Sequence, residues 1–109
     1  MEKAIALLKF YRTILDFAHW NNKGYEDHLL YDRLRNQIDE KIDECVEKYL
    51  AFVDTVKYSN FIDTINLLMK EYQGFDKSDI LELAKFCYDE IDNEDIRSML
   101  SVHIYLLKK

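Results

Sequence analysis

Apolar residues recur along most of the chain at steps of three and four positions, which is the spacing of one face of an α-helix. In the N-terminal half this spacing predicts a first helix over Glu2–His19 and a long second helix from Tyr25 to about Val53. The second helix would extend for roughly 40 Å at ~1.5 Å per residue. The segment Asn21–Gly24 consists of residue types that tolerate turn and left-handed conformations, so a tight connection is expected there.

The same spacing predicts three shorter helices in the C-terminal half. One should end near Gly74, one should extend to about Ile91, and one should follow the acids at 94 and 95. The candidate N-terminal caps are Tyr58-Ser59-Asn60, then Asp76 or Ser78, and then Asn93. Short connections are typical of antiparallel neighbours in bundles. We therefore expect an all-α protein with one domain over residues 1–109, arranged as a compact four-helix bundle whose third arm is broken around Gly74.

Composition supports this class and excludes several others. The chain has no proline and only two glycines, whereas a β-sandwich or barrel needs turn residues every 8 to 12 positions. A net charge of −6 is the opposite of the basic surface that nucleic-acid binding requires. Cys45 and Cys87 have no CxxC or CxxH partner, so a zinc knuckle or a disulfide framework is not expected. We interpret them as reduced, semi-buried thiols.

The location of the protein is predicted from the absence of targeting patterns. Lys3, Lys9 and Arg12 interrupt the apolar residues at the N-terminus, unlike the continuous apolar region of a signal peptide. No segment reaches the ~20 apolar residues of a membrane span. We expect a cytoplasmic protein without a membrane partner.

Two pairs of candidate metal ligands lie on the predicted long helix. His28 and Asp32 are four residues apart, as are Asp43 and Glu47. At ~100° per residue all four side chains fall on one narrow strip of the helix. The centres of the two pairs are ~22 Å apart along the axis, however, which is too far for one metal ion. One helix therefore cannot complete a site by itself.

A second copy of this helix would solve the distance problem. If two copies lie antiparallel across a two-fold axis that passes near Gln37 and Ile38, the His28/Asp32 pair of one chain faces the Asp43/Glu47 pair of the other. Each of the two resulting sites holds nitrogen and oxygen ligands suited to iron(II) or manganese(II). His19 can supply a second imidazole, because only a short turn separates it from the second helix.

These residues also carry a resemblance to a known family. The segment HWNNKGYEDHLLYDRLRNQIDEKIDECVEKY, residues 19–49, resembles the part of Dps-type mini-ferritins that reads His-Trp, a short loop with glycine, His-x3-Asp, ten residues, and Asp-x3-Glu. The resemblance implies a ferritin-like fold and ferroxidase sites shared by two subunits. The implied ligands are His19, His28, Asp32, Asp43 and Glu47, with Trp20 packed beside them. The length and the tail IRSMLSVHIYLLKK are more similar to small Dps-like proteins of tailed phages, which would place the protein in a host cytoplasm.

The resemblance implies iron as the bound metal, with other divalent metals left open, and peroxide or dioxygen as the oxidant. It covers less than a third of the chain, and the loop between His19 and His28 is a few residues shorter than in typical Dps sequences. The lysine-rich extension with which many Dps proteins bind DNA has no counterpart beyond Lys3, Lys108 and Lys109. We expect a homo-oligomer of at least two chains, with a dodecamer left open and DNA binding disfavoured.

Three functions follow from these observations. The leading one is oxidation and sequestration of iron(II), as protection against oxidative stress. The second is a phage protein that keeps the helical fold for oligomerisation or interaction, without ferroxidase activity. The third is a Dps-like DNA-binding role. Acids at four-residue spacing beside Lys41 and Lys48 are also common on solvated helix faces, so the two histidines carry most of the argument for the first. His103 has no acidic partner at a suitable spacing and is predicted to be a core or interface histidine.

Overall fold

A computed structural model describes residues 2–109; residue 1, which the domain prediction included, and the side chain of Tyr58 lie outside the described part. Residues 2–109 form five α-helices and no strand, so the chain is all-α, as the apolar pattern predicts. The helices are α1 Glu2–Asn21, α2 Tyr25–Leu50, α3 Tyr58–Glu71, α4 Lys77–Glu90 and α5 Glu94–Leu107. None of the helices in this part of the chain combines the length and the apolar character that a membrane span needs.

Helix α1 lies at the centre of the molecule. It packs against α2, α3 and α4, while α5 packs against α4. Most of its apolar residues are buried, and Leu8, Tyr11 and Leu15 are completely enclosed. Helix α2 contributes Leu34 and Ile38 to the same core, and both are fully buried. One continuous apolar core therefore fixes the orientation of α2 against α1, and with it the positions of the polar residues on both helices.

A three-residue turn at 22–24 joins α1 to α2. The side chain of Asn22 accepts a hydrogen bond from the Gly24 N–H at 2.6 Å. None of the described residues has a positive φ, so the tight connection that the sequence predicts forms without the left-handed backbone that these residue types tolerate. An asparagine side chain that accepts from the backbone two residues later is sufficient to reverse the chain here.

The predicted caps of the last two helices are confirmed. The Asp76 carboxylate accepts from the Asp79 N–H at 2.9 Å, and the Asp76 N–H donates to the Asp79 carboxylate at 3.2 Å, which is a capping box. The side chain of Asn93 accepts from the Ile96 N–H at 3.0 Å. A Cβ at Gly74 would collide with the Asp79 carboxylate, so any other residue there would push this carboxylate out of its place in the capping box.

The predicted cap of α3 is wrong. The helix begins at Tyr58, and its N-cap is Lys57, which makes no side-chain cap hydrogen bond. Ser59 and Asn60 lie in the first turn of the helix instead. The Asn60 side chain donates to the Glu2 carboxylate of α1 at 2.6 Å, so its partner is tertiary and not the local backbone.

Candidate metal centre

His19 and His28 lie side by side at the turn between the first two helices. His19 belongs to the last turn of α1 and His28 to the first turns of α2. Their imidazole rings are stacked, with centroids 3.9 Å apart and planes inclined by 22°. The two imidazoles therefore do converge, as the short spacing in the sequence predicts.

Each of these histidines is held by the backbone of the other. Nδ1 of His19 lies 3.0 Å from the carbonyl oxygen of His28, and Nδ1 of His28 lies 3.0 Å from the carbonyl oxygen of His19. A carbonyl oxygen only accepts, so Nδ1 is the protonated nitrogen in both rings. In the neutral rings both Nε2 atoms then carry a free lone pair. Metal-binding histidines usually have this arrangement, in which the nitrogen away from the metal donates to a carbonyl or carboxylate.

Asp32 lies one helical turn beyond His28 and approaches the same rings. Its Oδ1 atom is 4.0 Å from Nε2 of His19, too far for a hydrogen bond. Two ligands that each bind one ion at ~2.1 Å are about 3 Å apart at a right angle and about 4 Å apart in line. The separation is thus compatible with a shared cation. The His19 imidazole is mostly enclosed, with 12% of its side chain exposed.

Two further charged residues, Asp16 and Arg35, adjoin the histidine pair and were not predicted from the sequence. The Arg35 guanidinium donates to Oδ1 of Asp32 from Nε at 3.1 Å and from Nη2 at 2.9 Å. Its Nη1 donates to Asp16 of α1 at 3.0 Å. Asp16 is buried among the apolar residues of α1. An acid within the apolar pattern of a helix is usually paired when buried, and this signal in the sequence could have identified Asp16. Burial alone would lower the pKa of Arg35, but the hydrogen bonds to Asp16 and Asp32 raise it overall.

Asp43 and Glu47 lie on the same helix, far from the histidines, and both are exposed. Within the described residues neither side chain makes a hydrogen bond or an ion pair. The neighbouring acid Glu44 differs, because it accepts from Lys48 at 2.9 Å and from Lys41 at 3.2 Å. These hydrogen bonds lower the pKa of Glu44. Asp43 and Glu47 are therefore without a partner in the described part of a single chain, as are the exposed Glu26 and Glu40 of the same helix.

A single chain does not assemble the predicted ligand set. Among residues 2–109 no group of three or more histidine, cysteine, aspartate or glutamate side chains is placed to hold a metal ion. His19, His28 and Asp32 lie together at one end of α2, while Asp43 and Glu47 lie toward the other end. The nitrogen and carboxylate donors present at the first end are of the kind that iron(II) and manganese(II) accept.

The axis proposed for the second copy needs a correction at its centre. Ile38 is completely buried in the core of its own chain, and Gln37 accepts a hydrogen bond from His103 at 2.8 Å. At that level of α2 the exposed side chains are Asn36 and Glu40. A partner helix would meet these residues, because the apolar side of α2 is already used by α1.

Trp20, which the resemblance places beside the ligands, is mostly exposed in one chain. Its side chain is 63% exposed and packs edge-on against Phe17, with ring centroids 5.5 Å apart.

Cys45 and Cys87 are free and buried, as small apolar residues would be. Burial raises the pKa of the Cys87 thiol to about 12, so this thiol is unreactive.

His103 is a core histidine, as predicted. Tyr11 donates its hydroxyl hydrogen to Nδ1 of His103 at 2.9 Å, and Nε2 of His103 donates to Gln37 Oε1 at 2.8 Å. Burial, together with the positive charge of Arg33, lowers the pKa of His103 to about 4. Both nitrogens are in use, so this ring is not available to a metal.

An apolar cavity of about 670 Å³ lies between α1 and α3, and none of the five predicted ligands lines it. Its apolar lining residues are Phe10, Ile14, Phe17, Phe61, Ile65, Met69, Tyr72 and Phe75. This cavity is therefore separate from the candidate metal residues.

No family model, no curated protein and no solved structure matches the chain. The likeness to mini-ferritins consequently depends on residues 19–49 alone.

Proposed function

We propose that the chain binds and oxidises iron(II) at sites shared by two copies, in a ferritin-like arrangement in which the α2 helices lie antiparallel. The observation that carries the proposal is the stacked pair of His19 and His28. The backbone holds both Nδ1 atoms, both Nε2 atoms are left without a hydrogen bond among the described residues, and that of His19 lies 4.0 Å from Oδ1 of Asp32. An imidazole pair fixed in this way is preorganised for a cation.

The unpaired acids on α2 supply the second half of the site. In an antiparallel pair, His28 of one copy faces Glu47 of the other, and Asp32 faces Asp43. The partner copy's two carboxylates would then complete a ligand set that begins with two imidazoles and one carboxylate. The negative charge of this set favours the ferric product after peroxide or dioxygen takes the electron.

Exposed apolar residues on α2 support the same pairing. Tyr25 is 76% exposed, Leu29 is 48% exposed and Leu50 is 42% exposed. In the antiparallel register Tyr25 faces Leu50, and Leu29 faces the half-buried Val46. Apolar contacts at both ends of the strip would thus hold the helices together while the polar centre aligns the ligands.

The proposal is tested by mixing two inactive variants. His28→Ala and Glu47→Gln should each lose anaerobic iron(II) binding and iron oxidation on addition of peroxide, because each change removes one ligand from both sites. A mixture of the two, refolded together, places one intact site in every mixed dimer. About a quarter of all sites should then recover, if subunits pair at random.

Glu26→Gln is the matched control, since it removes an exposed acid of α2 that points away from both the ligand strip and the proposed two-fold axis. Its iron binding should equal that of the unchanged protein. Absence of iron binding by the unchanged protein, or no recovery in the mixture, would contradict the shared site.

A helical oligomerisation protein without ferroxidase activity is the second candidate. The exposed Tyr25, Leu29 and Leu50 favour it equally, because apolar contacts along α2 need no metal. This function predicts a dimer by light scattering together with no response to iron(II) by the unchanged protein. The mixing experiment therefore separates the two candidates.

A further inference from the structure

Arg35 joins the two carboxylates that lie closest to the histidine pair. It donates twice to Asp32 Oδ1, at 2.9 and 3.1 Å, and once to Asp16 Oδ1, at 3.0 Å. Only 23% of the Arg35 side chain is exposed, and 11% of the Asp16 side chain. The contacts lie in a partly dry seam between α1 and α2, where charges interact more strongly than in water.

Arg35 holds the oxygen of Asp32 that lies nearest to the His19 ring. Oδ1 of Asp32 receives both guanidinium hydrogen bonds, and it is also the oxygen 4.0 Å from Nε2 of His19. A guanidinium and a metal cation at this oxygen repel each other and compete for the same lone pairs. Binding of the metal at this oxygen therefore requires Arg35 to weaken or leave the contact, whereas Oδ2 of Asp32 makes no hydrogen bond to Arg35.

Asp16 is a second carboxylate that can keep Arg35 paired. Its Oδ1 accepts from Arg35, while its Oδ2 lies 3.5 Å from Nη1 of Arg12. Arg12 in turn pairs with Asp39 of α2. Asp16 is thus fixed by a second arginine and would keep Arg35 paired after Asp32 is released. A buried guanidinium without any carboxylate would be costly, so this second anchor lowers the cost of the exchange.

We propose that Arg35 is hydrogen-bonded to Asp32 when no metal is present and releases this carboxylate when a metal binds. The guanidinium then keeps its hydrogen bond to Asp16. This inference rests on the proposed function, because it concerns the regulation of that same site. Arg35 is a positioning residue and not a metal ligand. Before a metal binds, Arg35 orients the Asp32 carboxylate and balances its negative charge. A cation that binds more weakly than the guanidinium therefore does not displace it.

The test compares two variants that break the same ion pair and should shift metal affinity in opposite directions. Cobalt(II) is the probe, because it takes nitrogen and oxygen ligands and stays divalent in air. Arg35→Met removes the competitor, and we expect about tenfold tighter cobalt binding by calorimetry. Asp16→Asn removes the second anchor, and we expect several-fold weaker binding. A merely structural role of the seam would move both affinities in the same direction.

Further variants control for charge and for the route of the effect. Arg33→Met removes one positive charge from the same helix and should change cobalt affinity less than twofold. In an Asp32→Asn background, Arg35→Met should give no gain, because the competition acts through Asp32. Arg35→Lys keeps the charge but cannot hold both carboxylates in a planar fork, and it should give an intermediate affinity. Urea unfolding of each variant checks that the fold is retained.

The outcomes distinguish the two proposals. If the unchanged protein binds cobalt, but Arg35→Met and Asp16→Asn shift affinity together or not at all, the exchange is overturned and the shared site stands. If the unchanged protein binds neither cobalt nor iron(II), both proposals are overturned.

Discussion

Two hydrogen-bonded histidine networks connect α1 with α2, one of them through His103 of α5, and they differ in which ring nitrogens are left without a partner. One joins His103 to Tyr11 of α1 and Gln37 of α2. The other joins His19 of α1 and His28 of α2 to each other's backbone. In the first network every ring nitrogen has a partner. In the second, one nitrogen of each ring has none within the described residues, apart from the distant approach of Asp32.

The difference separates a structural network from one suited to binding. A buried polar group that is fully paired contributes to a unique packing and has no capacity for another partner. A ring whose orientation is fixed by one nitrogen, with the other free, is ready to accept a cation. Histidine content alone therefore does not distinguish the two networks, whereas the count of unused ring nitrogens does.

The largest effect on stability is expected from His103. Replacement by alanine leaves a cavity in the core and removes the partners of Tyr11 and Gln37, so His103→Ala should lower the free energy of unfolding by about 3 to 4 kcal/mol. Tyr11→Phe, which removes only one hydrogen bond, should cost about 1 kcal/mol. Urea unfolding measures both. Equal costs for the two variants would show that the network does not hold the core together.

The pH dependence of stability should reveal the same network. The pKa of His103 is about 4 in the native chain, against an ordinary value of 6.5. Between these values the unfolded chain binds a proton that the native chain does not. Stability is therefore complete above pH 6.5 and should fall by about 3 kcal/mol as the pH drops toward 4. Urea unfolding at several pH values measures the slope.

His103→Gln is the control for this slope, because it removes the titrating ring and keeps a polar side chain. Carboxylates elsewhere titrate equally in both proteins, so the difference between the two curves isolates His103. Parallel curves would contradict the burial of a neutral ring.

The smallest stability effect is expected from the network of His19 and His28. His28→Ala removes one hydrogen bond to a carbonyl at the edge of the fold, and the free energy of unfolding should fall by about 1 kcal/mol or less. Iron(II) binding should nevertheless be lost. Strong destabilisation by His28→Ala would show that His28 has a structural role like that of His103. The proposed difference between the two histidine networks would then be wrong.

The fold was predictable where local rules decide it. The capping residues Asp76 and Asn93 act on the backbone within three positions, so their roles follow from the sequence. Lys57 has no such rule, and the start of α3 was misplaced for that reason. The convergence of His19 and His28 was predictable as well, because only a three-residue turn separates their helices.

The charged surroundings of the histidine pair were less predictable. Asp16 and Arg35 are 19 positions apart, and their contact depends on how α1 and α2 pack. Exposure of Trp20 likewise depends on what covers the end of α1, which the aromatic residue type does not determine. Residues 43 and 47 were predicted to be ligands from spacing, and in one chain they face solvent, so their role remains a prediction that a second copy must test.

The turn at residues 22–24 makes the chain sensitive to small changes in length. An added residue cannot be absorbed by rotating α2, because a rotation of ~100° would pull Leu34 and Ile38 out of the core. It would instead have to bulge between the last turn of α1 and the first turn of α2, where each imidazole reaches the opposite backbone. Insertions at 22–24 should therefore spare the fold and separate the histidines, whereas engineered tags belong in the connection at residues 51–57.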